Sequence, residues 1–145
     1  MNYTFQVRGC PKGQPRAKAA RIGGFIKMYT PNTANDFKAA VQAGAIEAGL
    51  MNKLLEGPIA LELVFRLPRP KGHFGTGKNA SRLKETAPHW HTSKPDLDNI
   101  EKALKDALSD IRVWRDDCQV CKVSKTKVYV HGLEAPLSDV VISTL

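Results

Sequence analysis

Two aspartates separated by a single residue open the run Asp96-Leu-Asp98-Asn-Ile-Glu-Lys102, and a second acidic pair, Asp116-Asp117, follows downstream. In extended chain, Asp96 and Asp98 project to the same side. Once a helix has begun, Lys102 lies one turn beyond Asp98 on the same face. Carboxylates gathered in this way repel one another unless a cation joins them. An all-oxygen ligand set of high charge suits Mg²⁺ or Mn²⁺ rather than a soft metal. The positive end of a helix dipole favours the acids and a bound phosphate, leaving the cation to be held by the carboxylates' own charge. A plainer account uses the same residues: Asp96 and Asp98 cap a helix, Asp116-Asp117 makes a turn, and Lys102 pairs with Asp98 on a solvated surface. Residue type and spacing leave both accounts open.

Periodicity indicates the elements that position these groups. Ile59-Ala-Leu-Glu-Leu-Val-Phe-Arg-Leu67 alternates apolar and polar side chains, as a strand with one buried face does, and Tyr3–Val7 repeats the pattern more weakly. Phe25–Tyr29, entered through Gly23-Gly24 and closed by Pro31, reads as a short strand. Pro11, Gly13 and Pro15 make residues 9–24 a basic loop. Phe37, Ala40, Val41, Gly44, Ala45 and Ala48 recur at helical spacing between about Asn35 and Gly49, where the glycine would cap the C-terminus.

Leu97, Ile100, Leu104, Ala107, Leu108 and Ile111 mark the apolar face of a second helix that starts at the first acidic pair. Pro95 discourages an earlier turn, and Asp98 with Glu101 has capping-box spacing. A turn at Arg115–Asp117 leads into a strand at about 119–130, and Val140-Val-Ile142 reads as a terminal strand. Pro68–Pro95 has no period and is dense in Gly, Pro, Lys and Arg; loops longer than ~12–15 residues are usually functional or disordered. The order β, β, α, β, loop, α, β, β fits one domain over residues 1–145, without internal repeats or linkers.

The chain has 145 residues, 42% of them apolar, which is enough for a single core without disulfides. Collagen-like, disulfide-framework and wholly disordered classes are excluded. Three cysteines fit a reducing compartment. No apolar stretch approaches the ~18–20 residues of a membrane span, and the opening residues lack an export signal, so a soluble cytoplasmic protein is expected. The net charge of +8 calls for an anionic partner, nucleic acid rather than membrane, since no basic amphipathic helix is visible. That charge is segregated. Residues 1–35 hold six basic and no acidic side chains, residues 66–95 hold seven and one, and residues 96–117 reverse the sign with seven acids against four bases.

The runs Pro68-Arg-Pro-Lys-Gly-His-Phe-Gly-Thr-Gly-Lys-Asn79, His91-Thr-Ser-Lys-Pro-Asp-Leu-Asp-Asn-Ile-Glu-Lys102 and Val113-Trp-Arg-Asp-Asp-Cys-Gln-Val120 together resemble the RusA family of Holliday junction resolvases, particularly its phage and prophage branch. The resemblance covers about residues 66–123. It implies a small α/β (α+β) domain with a mixed sheet packed against two main helices, acting as a homodimer on branched DNA with Mg²⁺, for which Mn²⁺ can substitute. Carried over by position, it implies catalytic carboxylates at Asp96, Asp98 and Asp117, all three on the metal, and an essential lysine at Lys102. A bacterial cytoplasm, with a phage or a bacterium as the source, goes with that branch.

The residues around this centre suit DNA. Arg66, Arg69, Lys71, Lys78, Arg82, Lys84 and Lys94 would bind backbone phosphates, and Lys12, Arg16, Lys18 and Arg21 form a second contact zone. Phe74 and Trp90 would either stack on bases at a junction centre or anchor the loop to the core. The approximate two-fold symmetry of a four-way junction independently favours a dimer. The same residues would also serve a nuclease acting on forks or flaps, or a non-catalytic DNA-binding accessory. Three weaker patterns are set aside. Gly72–Asn79 has phosphate-loop spacing but Asn79 where a Ser or Thr should stand. Cys118 and Cys121 lack a second pair for zinc and read as partly buried thiols. His73, His89 and His91 read as loop residues exposed or near DNA.

Overall fold

A computed structural model describes the whole chain, Met1 to Leu145. In chain order the elements are β1 (Asn2–Arg8), β2 (Lys18–Ile22), β3 (Phe25–Tyr29), α1 (Asn35–Glu47), β4 (Ile59–Leu67), α2 (Leu97–Asp110), β5 (Val120–Tyr129) and β6 (Leu137–Thr144). The alternation in β4 does what period two requires: Ile59, Leu61, Leu63, Phe65 and Leu67 are all buried on one face. That face is central because β4 is flanked on both sides, in a sheet ordered β1-β6-β4-β5. β6 runs antiparallel to β1 and to β4, whereas β4 and β5 are parallel. A parallel pair needs a crossover, and α2 lies in that connection. The mixed sheet with two helices is the α+β domain that the resemblance implies.

Both helices cover the same face of the sheet, α1 over β1 and α2 over β5, and they pack on each other. Phe37 and Val41 from α1, Ile100, Leu104 and Leu108 from α2, and Val140 and Ile142 from β6 close one core. The fully buried Trp114 donates from Nε1 to Ser109 Oγ at 2.8 Å, pinning the chain that leaves α2.

The structure differs from the sequence-based expectation at residues 9–24. Lys18–Ile22 is a strand, paired antiparallel with β3 across Gly23-Gly24 to make a separate two-stranded hairpin. Gly23 supplies the positive φ, +63°, that a two-residue hairpin turn demands. Alanines and basic side chains gave β2 no apolar period, so only the Gly-Gly turn announced it.

Residues 68–95 are irregular, with one-turn 3-10 segments at Lys71–His73 and Gly77–Asn79, yet they are built. The segment folds on itself through a Phe74–Leu83 bridge and then zips onto the free edge of β5. There Trp90 bridges Val128, the His91 amide donates to Lys127 O at 3.2 Å, and the Tyr129 amide donates to His89 O at 2.9 Å. No helix is long and apolar enough to cross a membrane.

Candidate active site

Asp96 is the N-cap of α2, with extended backbone, and the Ile100 amide donates to its carbonyl at 3.1 Å. Its carboxylate makes no capping hydrogen bond. Asp98 follows in the first turn, and both side chains are exposed. The ion pairs of the molecule are Arg66–Asp139, Arg115–Glu56 and Lys125–Glu101, so neither aspartate is paired, and Lys102 lies exposed without a bond to Asp98. The capping box expected from Asp98 and Glu101 does not form. With the cap at Asp96, Glu101 falls in the second turn and accepts instead from Lys125 Nζ on β5, at 3.1 Å.

Two contacts hold this helix start in place. Lys127 on β5 donates from Nζ to Ser93 O at 2.6 Å and to Pro95 O at 2.7 Å, fixing the chain just before Asp96. From the other side the Gln14 amide donates to Asn99 O at 2.9 Å. Gly13 approaches so closely that a Cβ there would lie 3.1 Å from Asn99 Cβ. The N-terminal loop is thereby the opposite wall of a cleft of about 590 Å³, lined by Gln14, Arg16, Lys94, Asp96 and Asn99 among others. Gln14 Oε1 is buried at this wall without a partner. A cleft edged by a carboxylate and two cations can take a phosphate together with a hard cation.

The second acidic pair divides its work. Asp116 caps the 3-10 turn Asp117–Gln119, accepting from the Cys118 amide at 2.9 Å while Gln119 Oε1 accepts from the amides of Arg115 and Asp116. The Cys118 amide, then the Cys118 thiol and the Asp117 carboxyl, hold the Asp116 carboxyl below the usual carboxylate range. Asp116 is thus a turn former. Asp117 is exposed and makes no ion pair.

One chain does not bring Asp117 to Asp96 and Asp98. β5 runs against α2, with Lys127 at Pro95 and Lys125 at Glu101, and Trp114 keeps the following turn at the C-terminal end of the helix. The 14 residues of α2, rising about 1.5 Å each, therefore separate the two acidic sites by on the order of 20 Å. No three or more His, Cys, Asp or Glu side chains are grouped to hold a metal ion. Asp96 and Asp98 offer oxygens of the right kind for Mg²⁺, but the three-carboxylate set is incomplete in a single chain.

The basic residues fare differently from one another. Lys12, Arg16, Lys18, Arg21, Lys71, Lys78, Arg82, Lys84 and Lys94 are exposed and outside any ion pair. Arg69 is engaged within the loop: Nε donates to Val130 O at 2.8 Å, a terminal nitrogen donates to Pro88 O at 2.6 Å, and the guanidinium lies over Tyr129. Arg66 pairs with Asp139 at 2.7 Å. Of the two loop aromatics, Phe74 is buried, 7% exposed, and anchors the loop, so it is not presented to a base; Trp90 is 59% exposed. His73 and His91 pack on Tyr129, each with ring centroids 4.7 Å away. Burial and the nearby Lys127 push the His91 imidazole below its ordinary value. Cys118 and Cys121 are exposed, not partly buried: Cys118 lies in the 3-10 turn before β5 and Cys121 at the start of that edge strand.

The sequence reading missed Lys125 and Lys127. Their signal was parity: both share the inward alternation of Val123 and Tyr129 on β5, where a lysine needs a partner.

The family model described as Endodeoxyribonuclease RusA matches residues 8–135, a span that includes both acidic pairs, the basic loop and the cleft. The molecule therefore falls in the class of DNA endonucleases. Within that class, the chain belongs to the RusA family. It is 30% identical over 141 residues to the uncharacterized protein YqaN of Bacillus subtilis strain 168, covering 95% of this chain and 93% of YqaN. It is 24% identical over 131 residues to a protein of Lactococcus phage r1t named crossover junction endodeoxyribonuclease rusA, covering 87% of this chain and 86% of that protein.

Proposed function

We propose that this protein resolves four-way DNA junctions by Mg²⁺-dependent phosphodiester hydrolysis, with Mn²⁺ able to substitute, and that it acts as a homodimer. The observation that carries this reading is that the carboxylates of Asp96 and Asp98 do not cap their helix. Both stand unpaired, Asp96 beside Arg16 and Lys94 at a cleft and Asp98 exposed in the first helical turn that follows it. In a plain structural cap at least one would be hydrogen-bonded. Asp96 and Asp98 would hold the cation, which would supply polarisation of a phosphate oxygen and a more acidic water. Lys102, one turn beyond Asp98, offers positive charge to the phosphate as negative charge builds on it. Arg16 and Lys94 position the strand.

The position of Asp117 supports the dimer. Because α2 holds it about a helix length from Asp98, the third carboxylate comes from Asp117 of the partner subunit across a two-fold axis. Two equivalent sites result, matched to paired cuts in a junction of approximate two-fold symmetry.

The test is cleavage of synthetic four-way junction, fork and linear duplex, with Mg²⁺ or with a chelator, by wild type and Asp98→Asn. Selective nicking of the junction is expected, lost with the chelator and in the variant while binding persists. Equal cutting of all three substrates would remove the junction assignment in favour of a general branched-DNA nuclease. Binding without nicking by the wild type would leave a DNA-binding accessory. Mixing Asp98→Asn with Asp117→Asn protein should restore nicking, because a shared site leaves one of two sites intact in the mixed dimer. Continued inactivity of the mixture would place all ligands in one chain.

A further inference from the structure

The β2–β3 hairpin pairs with nothing but itself, and every residue from Arg21 to Thr30 is exposed. Its apolar side chains are nonetheless large: Ile22, Phe25, Ile26 and Met28 are 61%, 80%, 73% and 62% exposed. A two-stranded hairpin is marginal alone in water, and clustered exposed apolar groups mark a contact surface.

Register shows what that surface is made of. Opposed residues share a face, so Lys18 with Tyr29, Ala20 with Lys27, and Ile22 with Phe25 form one side, ending in an apolar tip across Gly23-Gly24. Two ammonium groups thus alternate with Tyr29 and the Ile22-Phe25 tip, and residues 1–35 contain no acid to neutralise them. The same hairpin face of a second copy, seated on it across a two-fold axis, would set lysine against lysine. A nucleic-acid strand complements it: phosphates for the ammonium groups, base faces for the apolar side chains. The hairpin also springs from the loop whose Gly13 and Gln14 pack on Asn99 beside Asp96. Its five-residue strands, at about 3.3 Å per residue, carry the tip roughly 16 Å beyond the base of the hairpin at Lys18, about five base steps along a strand.

We infer that the β2–β3 hairpin is a DNA-branch wedge, with Ile22 and Phe25 entering the base stack at the branch point and Lys18 and Lys27 holding the flanking phosphates. The inference rests on the junction-binding reading above and adds to it the element that opens the branch. Insertion of an apolar side chain unstacks a base step, so the readout is a fluorescent adenine analogue placed at the junction centre, measured in chelator to prevent cutting.

Wild type and Asp98→Asn should both raise the fluorescence at saturating protein. Ile22→Ser/Phe25→Ser should lose the rise, weaken junction binding by roughly tenfold, and leave linear-duplex binding nearly unchanged. Phe25→Trp should retain the rise. Phe25→Ser alone, at a tip outside the core, carries the same test if the double variant folds poorly. An undiminished rise in the serine variants overturns the wedge even if wild type cuts junctions. A shift of those variants from dimer to monomer in sedimentation also overturns it, in favour of a protein interface. Absence of nicking by a wild type that still raises the signal would remove the nuclease reading and keep the wedge.

Discussion

The two basic segments of this protein carry nearly the same charge and have opposite structures. Residues 66–95 contain seven cations and residues 1–35 six, yet the first is a flap fastened to the edge of β5 and the second ends in a hairpin that touches no other strand. In the flap, one aromatic and one arginine are structural: Phe74 is buried and Arg69 is bonded to Val130 O and Pro88 O. In the hairpin nothing is buried and the apolar groups face outward. Equal charge therefore does not mean equal availability. A cation surrounded by carbonyls and an aromatic ring organises its own segment, and one in open solvent is left for a partner.

The contrast is sharpest for the two phenylalanines. Phe74→Ala should destabilise the flap by about 3 kcal/mol, as removal of a buried aromatic does, whereas Phe25→Ala should change thermal stability hardly at all. Comparable melting temperatures for the two variants would contradict the division into built and free segments. Next in size, Arg69→Ala should cost about 2 kcal/mol, since two carbonyls lose charged donors. Arg69→Lys should not recover it, because one ammonium cannot reproduce the fork and the stacking on Tyr129. Rescue by lysine in a denaturant titration would mean that Arg69 contributes only charge.

Acid offers a gentler probe of the same difference. The fold favours the neutral form of His91, whose imidazole is held below the ordinary 6.5 by burial and by Lys127, so its contribution is complete above that value and fades as pH falls. Amide exchange at His91 and Tyr129 should accelerate toward about pH 5.5 after correction for intrinsic rates, with the hairpin amides unaffected. His91→Phe should flatten the dependence; an identical profile in that variant would assign the effect to another group. The smallest effect concerns DNA. Removing one exposed lysine, Lys27 or Lys84, should lower the salt dependence of binding by roughly one counterion. Arg69→Gln should leave that slope in place, and a slope that responds equally to all three would erase the distinction.

Much of this architecture could be read locally. Alternation in Ile59–Leu67 announced the central strand, and the apolar stripe from Leu97 to Ile111 announced α2 with the acidic pair at its start. Charge segregation marked the two basic segments. The hairpin escaped because Lys18–Ile22 lacks an apolar period, although Gly23-Gly24 signalled the turn. The fates of Arg69 and Glu101 escaped for another reason: each depends on a side chain of β5, Tyr129 or Lys125, which is close in space and distant in sequence.

The sequence alone determined both helices and the strands that carry an apolar period, where the two aspartates fall relative to a helix start, and where positive charge collects, since period and charge are properties of neighbouring residues. Only the tertiary structure decided that Asp96 and Asp98 stay unpaired, that Asp116 turns the chain, that Asp117 lies a helix length away, and that one basic segment is fastened while the hairpin of the other stands free. Those outcomes depend on the direction of β5 against α2 and on which carbonyls lie within reach, and both are set by strand order, which no local pattern encodes.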